Sequence, residues 1–154
     1  MVEVGMKVPS FTLEDSCGCK VSLSDFLGKK VVLYFYSKDN TSGCTKQALA
    51  FQQLKGDIEE NNAVIVGISK DSSSTHKKFA EKHGLEFILL SDSELIANNL
   101  FGVWKEKKMC GKTCMGTVRT TFIIDENGNV EKIMEKVKPE TNAADVLSFL
   151  MSKQ

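Results

Sequence analysis

The chain has 154 residues, 42% of them hydrophobic, and 20 basic side chains balance 20 acidic ones. That length supports one domain with a substantial core, and zero net charge argues against an electrostatic footprint for nucleic acid or an anionic membrane. Five cysteines form an odd set whose spacing does not resemble a secreted disulfide scaffold, so a reducing, cytoplasmic setting with working thiols is expected.

No run of 18 apolar residues and no charged-then-apolar leader occurs, which reads as a soluble chain that stays where it is made. Residues 2–10 alternate mildly and suggest an opening strand or arm. Segments 11–15 and 21–23 flank a turn at Ser16-Cys17-Gly18-Cys19 and read as a small hairpin, followed by a brief capped helical turn at 24–28. The run 31–36, Val-Val-Leu-Tyr-Phe-Tyr, is apolar throughout, the pattern of a strand buried on both faces of a parallel sheet.

That run stops at Ser37, and a polar segment leads to Cys44. Thr41 and Ser42 are good N-cap types, Gly43 permits a tight turn into a helix, and Cys44, Ala48, Phe51, Leu54 and Ile58 recur at helical spacing to about residue 60. Cys44 therefore falls in the first turn, where free N–H groups and the positive end of the helix dipole favour a thiolate. Spacing alone leaves two readings open: a reactive thiolate, or a small buried residue that begins a helix.

Further strands are expected at 63–68 and 87–90, with a helix at 72–83 capped by Ser72 and closed by Gly84, and a third helix at 93–103. Residues 104–116 have no clean period and read as a loop. A strand at 120–124 turns at Asn127-Gly128 into an antiparallel strand at 130–137, and a helix at 140–153 closes the chain. The pattern predicts a single α/β domain over 1–154, with a mixed central sheet, helices on both faces and an N-terminal β-hairpin. Sites in such sheets form where strand carboxyl ends feed helices, which is where Cys44 stands.

The run 34–45, Tyr-Phe-Tyr-Ser-Lys-Asp-Asn-Thr-Ser-Gly-Cys-Thr, resembles the active-site signature of peroxiredoxins, nearest to the bacterioferritin-comigratory or Q-type branch. Gly67-Ile68-Ser69-Lys70-Asp71, Leu89-Leu90-Ser91-Asp92, Phe101-Gly102-Val103-Trp104 and Arg119-Thr120-Thr121-Phe122-Ile123-Ile124-Asp125 match in family order, so the resemblance covers nearly the whole chain. It implies a thioredoxin-like fold and a thiol peroxidase that reduces hydrogen peroxide and small organic hydroperoxides without a metal or bound organic cofactor. Electrons would come from thioredoxin or another thiol, and a monomer is expected. Cys44 matches the peroxidatic cysteine, Thr41 the residue whose hydroxyl holds thiolate and peroxide, and Arg119 the arginine that steadies thiolate and departing oxygen. On sequence alone, an arginine opening a strand is usually a solvated residue.

Two departures stand out. Ser37 and Ser42 replace the family's prolines, and a serine at 37 either offers a hydroxyl or loosens the loop. Leu49 stands five residues after Cys44, where many Q-type members carry the resolving cysteine. Cys110 and Cys114 are the resolving candidates, because the segment leading to Arg119 must approach the site if Arg119 does; otherwise the second thiol comes from outside. Cys17 and Cys19 would form only a strained bridge, and the cysteine spacings are not the usual zinc pairs. His76 and His83 read as solvated, as do the charges of 105–108, and Trp104 lines either pocket or core. Two alternatives remain: a thioredoxin-type disulfide oxidoreductase, against which Thr41 and Gln47 occupy the Cys-x-x-Cys positions around Cys44, and a non-catalytic redox sensor.

Overall fold

Every side chain from Val31 to Tyr36 is buried, so the strand built from this run must be covered on both sides. The structure, a computed structural model, describes residues 2–109 and 111–153. In chain order the elements are β1 (Thr12–Asp15), β2 (Lys20–Ser22), a short 3-10 helix (Leu23–Phe26), β3 (Lys30–Phe35), α1 (Ser42–Glu60), β4 (Ala63–Ser69), α2 (Ser73–His83), β5 (Ile88–Ser91), α3 (Ile96–Leu100), β6 (Trp104–Met109), β7 (Lys112–Thr117), β8 (Thr120–Ile124), β9 (Val130–Met134) and α4 (Asn142–Ser152).

Among the described residues, seven strands form one sheet in the order β2-β1-β5-β4-β3-β8-β9. β3, β4 and β5 run parallel, as helical crossovers require, while β8 pairs antiparallel to β3 and β9 antiparallel to β8. Side-chain alternation divides the core. Val32, Tyr34, Tyr36, Ile65, Leu89 and Ile123 face α1, α2 and α4, packing on Ala48, Phe51, Ile58, Phe79, Val146 and Leu150. Val31, Leu33, Phe35, Val66, Ile68, Leu90 and Phe122 face the other side, against Phe11, Leu23, Ala97, Phe101 and Val103. The mixed sheet with helices on both faces stands as expected.

Gly67 sits in register with Tyr34, and a Cβ there would come 2.9 Å from the Tyr34 ring. Its bareness lets that ring lie across β4 and stack on Phe51 at 4.6 Å. This aromatic layer belongs to the same buried cluster as Cys44.

Of the strand or arm expected for the opening segment, it is the arm that forms, joined to the sheet through an isolated bridge, Lys7 to Asn129. Two expectations are corrected. The third helix spans only Ile96–Leu100, because the Asp92 carboxylate accepts the N–H groups of Ala97 and Asn98 and Leu95 turns the chain at φ 60°. The supposed loop at 104–116 is the β6–β7 hairpin, with Trp104 opposite Thr117 and Lys107 opposite Cys114. It shows no hydrophobic alternation because the hairpin stands away from the main sheet. Its strands are held by their own ladder, and Thr117 Oγ1 donates to Asn98 Oδ1 at 2.8 Å to tie its base to α3.

Candidate active site

β3 delivers the chain to a five-residue segment, 37–41, which reverses at Asn40 (φ 64°) and places Thr41 at the N-cap of α1. Cys44 is the third residue of that helix and only 1% exposed. It lies among the unpaired N–H groups of the first turn, at the carboxyl edge of the central strands. Ser37 Oγ lies 3.6 Å from Sγ and Arg119 Nη1 donates to Sγ at 3.4 Å. Burial pushes the Cys44 thiol up, but hydrogen bonds from the Thr41 hydroxyl, the Lys38 N–H and the Ser37 hydroxyl, together with the Arg119 guanidinium, outweigh it and hold the thiol below its ordinary pKa. Of the two readings for Ser37, the structure carries the hydroxyl, which lies beside the sulfur at 3.6 Å.

Arg119 stands immediately before β8 and is itself oriented. Its Nη1 also donates to Gln47 Oε1 at 2.6 Å, Gln47 Nε2 donates to Asn142 Oδ1 at 3.0 Å, and Thr121 Oγ1 donates to the same oxygen at 2.8 Å. Gln47 and Asn142 are fully buried, so this chain crosses from α1 to α4 and β8 without water. A Cβ on Gly43 would sit 3.4 Å from Arg119 Nη2 and from Pro139 Cγ. The glycine's use is therefore room for the guanidinium rather than a special backbone turn.

Gln47 carries no motif signal of its own, yet its position three residues after Cys44 and four before Phe51 puts it on the buried face. Thr41 holds the N-cap position of α1 but makes no side-chain cap bond: its hydroxyl lies 2.9 Å from Lys38 O, and its one proton goes either to that oxygen or to the Cys44 sulfur. His76 is fully buried, not solvated as expected, with Nδ1 2.6 Å from Asp39 Oδ2. Its spacing of three from Phe79 was the signal. Lys107 is half-buried rather than free, with Nζ donating to Thr117 O at 2.5 Å. Burial first, then the Arg119 charge, lowers its pKa, and the thiols of Cys44 and Cys114 act in the opposite sense.

Arg119, Ser37, Lys38 and Thr41 thus meet at Cys44. Cys114 is exposed on β7, opposite Lys107. Cys110 lies outside the described residues. Cys17 and Cys19 are exposed in the β1–β2 turn, where Asp15 Oδ1 accepts both of their N–H groups. Trp104 is half-buried, its ring 5.7 Å from Lys70 Nζ. Chemically, the site is a desolvated sulfur with preorganised donors, suited to attack by thiolate and to stabilising a departing anion.

Residues 4–133 match the AhpC/TSA family. Peroxiredoxin Bcp of Bacillus subtilis strain 168 is 46% identical over 149 residues, covering 97% of this chain and 95% of that protein. A PrxQ mutant from Xylella fastidiosa superposes with a TM-score of 0.94 at 34% identity, covering 99% of this chain and 98% of the other. The bacterioferritin comigratory protein of Xanthomonas campestris, studied for alkyl peroxide reduction activity, gives a TM-score of 0.91 at 34% identity, with 98% and 99% coverage. With a buried, donor-ringed cysteine at the helix start after β3 and full-length likeness to these proteins, the chain belongs to the AhpC/TSA family, as a peroxiredoxin of the Bcp/PrxQ type.

Proposed function

We propose that Cys44 is the reacting thiol of this thiol peroxidase. The observation that carries the reading is the convergence of the Arg119 guanidinium and the 37–41 donors on one buried sulfur at a helix N-terminus. The Cys44 thiolate attacks one oxygen of a hydroperoxide, an S–O bond forms as the O–O bond breaks, and the second oxygen leaves as hydroxide or alkoxide, which takes a proton. Arg119 stabilises first the thiolate and then the charge on the leaving oxygen, held in place by Gln47 so that it need not reorient. The Thr41 hydroxyl has one proton to give, and turning from Lys38 O towards the sulfur or the bound peroxide lets it serve both. Hydrogen peroxide and alkyl hydroperoxides are the substrates, in keeping with the alkyl peroxide reduction studied in the Xanthomonas protein.

The sulfenic acid on Cys44 then condenses with a second thiol, releasing water and forming a disulfide that an external thiol, such as thioredoxin, reduces. Cys114 is our assignment for that thiol. It pairs across the hairpin with Lys107 and lies on the segment that leads into Arg119, whose guanidinium reaches Cys44. Cys110 remains the alternative on the same segment. The protein is read as a monomer, and no helix among the described residues is long and apolar enough to cross a membrane.

Peroxide consumption with excess reductant tests the reading. Cys44→Ser is expected to abolish turnover, and a variant that kept most of its activity would overturn the assignment. A redox sensor would oxidise once and stop, whereas the enzyme consumes many equivalents.

A further inference from the structure

Beyond the groups that touch sulfur, one buried cluster is unaccounted for by the chemistry. Asp39 lies in the middle of the 37–41 segment and is only 3% exposed. Its Oδ1 accepts from Tyr36 Oη at 2.6 Å and its Oδ2 lies 2.6 Å from Nδ1 of His76, which is fully buried. His76 Nε2 faces Leu90 O at 3.0 Å, and the Asp39 N–H donates to Asp71 Oδ2 at 2.8 Å, itself held by Ser69 Oγ at 2.6 Å. One residue of the segment is thus tied to the ends of β3, β4 and β5 and to α2.

Proton accounting defines the pair. A carbonyl oxygen only accepts, so His76 Nε2 carries a hydrogen, and Nδ1 and Oδ2 at 2.6 Å share one more. Whichever atom owns that proton, the pair is jointly neutral and both polar ends of the ring are satisfied. Asp39, Asp71 and His76 do present donor atoms within 4.8 Å of one another. Each of these side chains is already engaged in hydrogen bonds, so the cluster is a closed network rather than an open cation site. A carboxylate and an imidazole buried here are costly in any arrangement that separates them, so the pair favours a single conformation of the segment.

We propose that the Asp39–His76 pair is a positioning device for the peroxide site, pinning the 37–41 segment so that its donors stay aimed at Cys44 Sγ. The proposal rests on Cys44 being the reacting thiol. Neither residue acts on sulfur directly; the leverage lies in adjacency. Ser37, whose Oγ lies 3.6 Å from the sulfur, stands two residues before Asp39, and the Thr41 hydroxyl, two residues after it, reaches back to Lys38 O. Ser37 brings no ring to stiffen the segment, so its rigidity is supplied from α2 across the sheet edge.

The test combines three variants with two readouts: the second-order rate constant for oxidation by hydrogen peroxide, and the pH dependence of Cys44 alkylation by iodoacetamide, followed on the Cys44 peptide. In His76→Leu the alkylation curve is expected to move to higher pH and the rate constant at neutral pH to fall about tenfold, with the circular dichroism spectrum retained. His76→Gln, which keeps an N–H for Asp39, should recover part of both. A folded His76→Leu with wild-type alkylation and rate would overturn the proposal, even if it melted earlier. Should His76→Leu fail to fold, Asp39→Asn, which keeps the shape and removes the charge, is decided by the same two readouts. Cys44→Ser run alongside separates the two levels. If it still consumes peroxide, the reading of Cys44 falls and the proposal with it; if it is dead while the His76 variants behave as wild type, only the positioning role falls.

Discussion

Burial alone would hold Cys44 as an inert thiol, and the donors from residues 37–41 with Arg119 reverse that. Two predictions follow at the scale of single residues. Because the folded thiol titrates below the ordinary cysteine value of about 8.5, the unfolded chain binds more protons between the two values, and stability rises with pH across that window. The contribution is complete above the ordinary value and lost as pH falls through the folded one. The stability difference between wild type and Cys44→Ser should therefore grow from acid towards pH about 9, measured by urea unfolding, while the peroxide rate rises through the folded value and levels off. The second concerns Arg119, whose Nη1 serves Sγ and Gln47 Oε1 together. Arg119→Met should slow peroxide reduction about 100-fold, the usual cost of removing one charge-stabilising donor. Arg119→Lys should recover little, because an ammonium lacks the planar fork. Stopped-flow oxidation kinetics check both.

Among the elements, the β6–β7 hairpin is where the proposed assignment of Cys114 as the second thiol is tested. Its base is fixed by the Thr117–Asn98–Asp92 hydrogen bonds, while Cys114 rides on exposed β7. That combination suits a thiol that must travel to a buried partner, since a disulfide needs Cα atoms within roughly 7 Å. Peptide mapping of peroxide-treated protein should find Cys44 joined to Cys114. In Cys114→Ser that disulfide should be absent, with sulfenic acid on Cys44 trapped by dimedone; an unchanged rate of thioredoxin-supported turnover in this variant would remove Cys114 from the mechanism. α1 itself does two jobs. Its first turn presents Cys44, and one turn later Gln47 orients the arginine, while exposed Leu49 fills the place from which a same-helix cysteine would have resolved Cys44.

For the molecule as a whole, the site is only as firm as the two-sided core beneath it. Phe51, fully buried and stacked on Tyr34, links α1 to the sheet. Phe51→Ala should cost about 3–5 kcal/mol, lowering the melting temperature by roughly 10 °C, as calorimetry would register. The outline of this core was legible in advance: 31–36 announced a strand buried on both faces, and the 3.6-residue period from Cys44 announced the helix. The hairpin at 104–117 was not, because exposed strands held by their own ladder carry no alternation. His76 was misplaced although its spacing from Phe79 marked the buried face, because nothing local shows the carboxylate that satisfies its ring across the sheet edge. By itself, then, the sequence determined the strand, the turn and the cysteine at the helix start, since periodicity, capping and motif are local properties. Only the tertiary structure decided what surrounds that sulfur. Arg119 comes from 75 residues away and His76 meets Asp39 across 37, and whether such groups are solvated or aimed depends on which surfaces the fold closes over them.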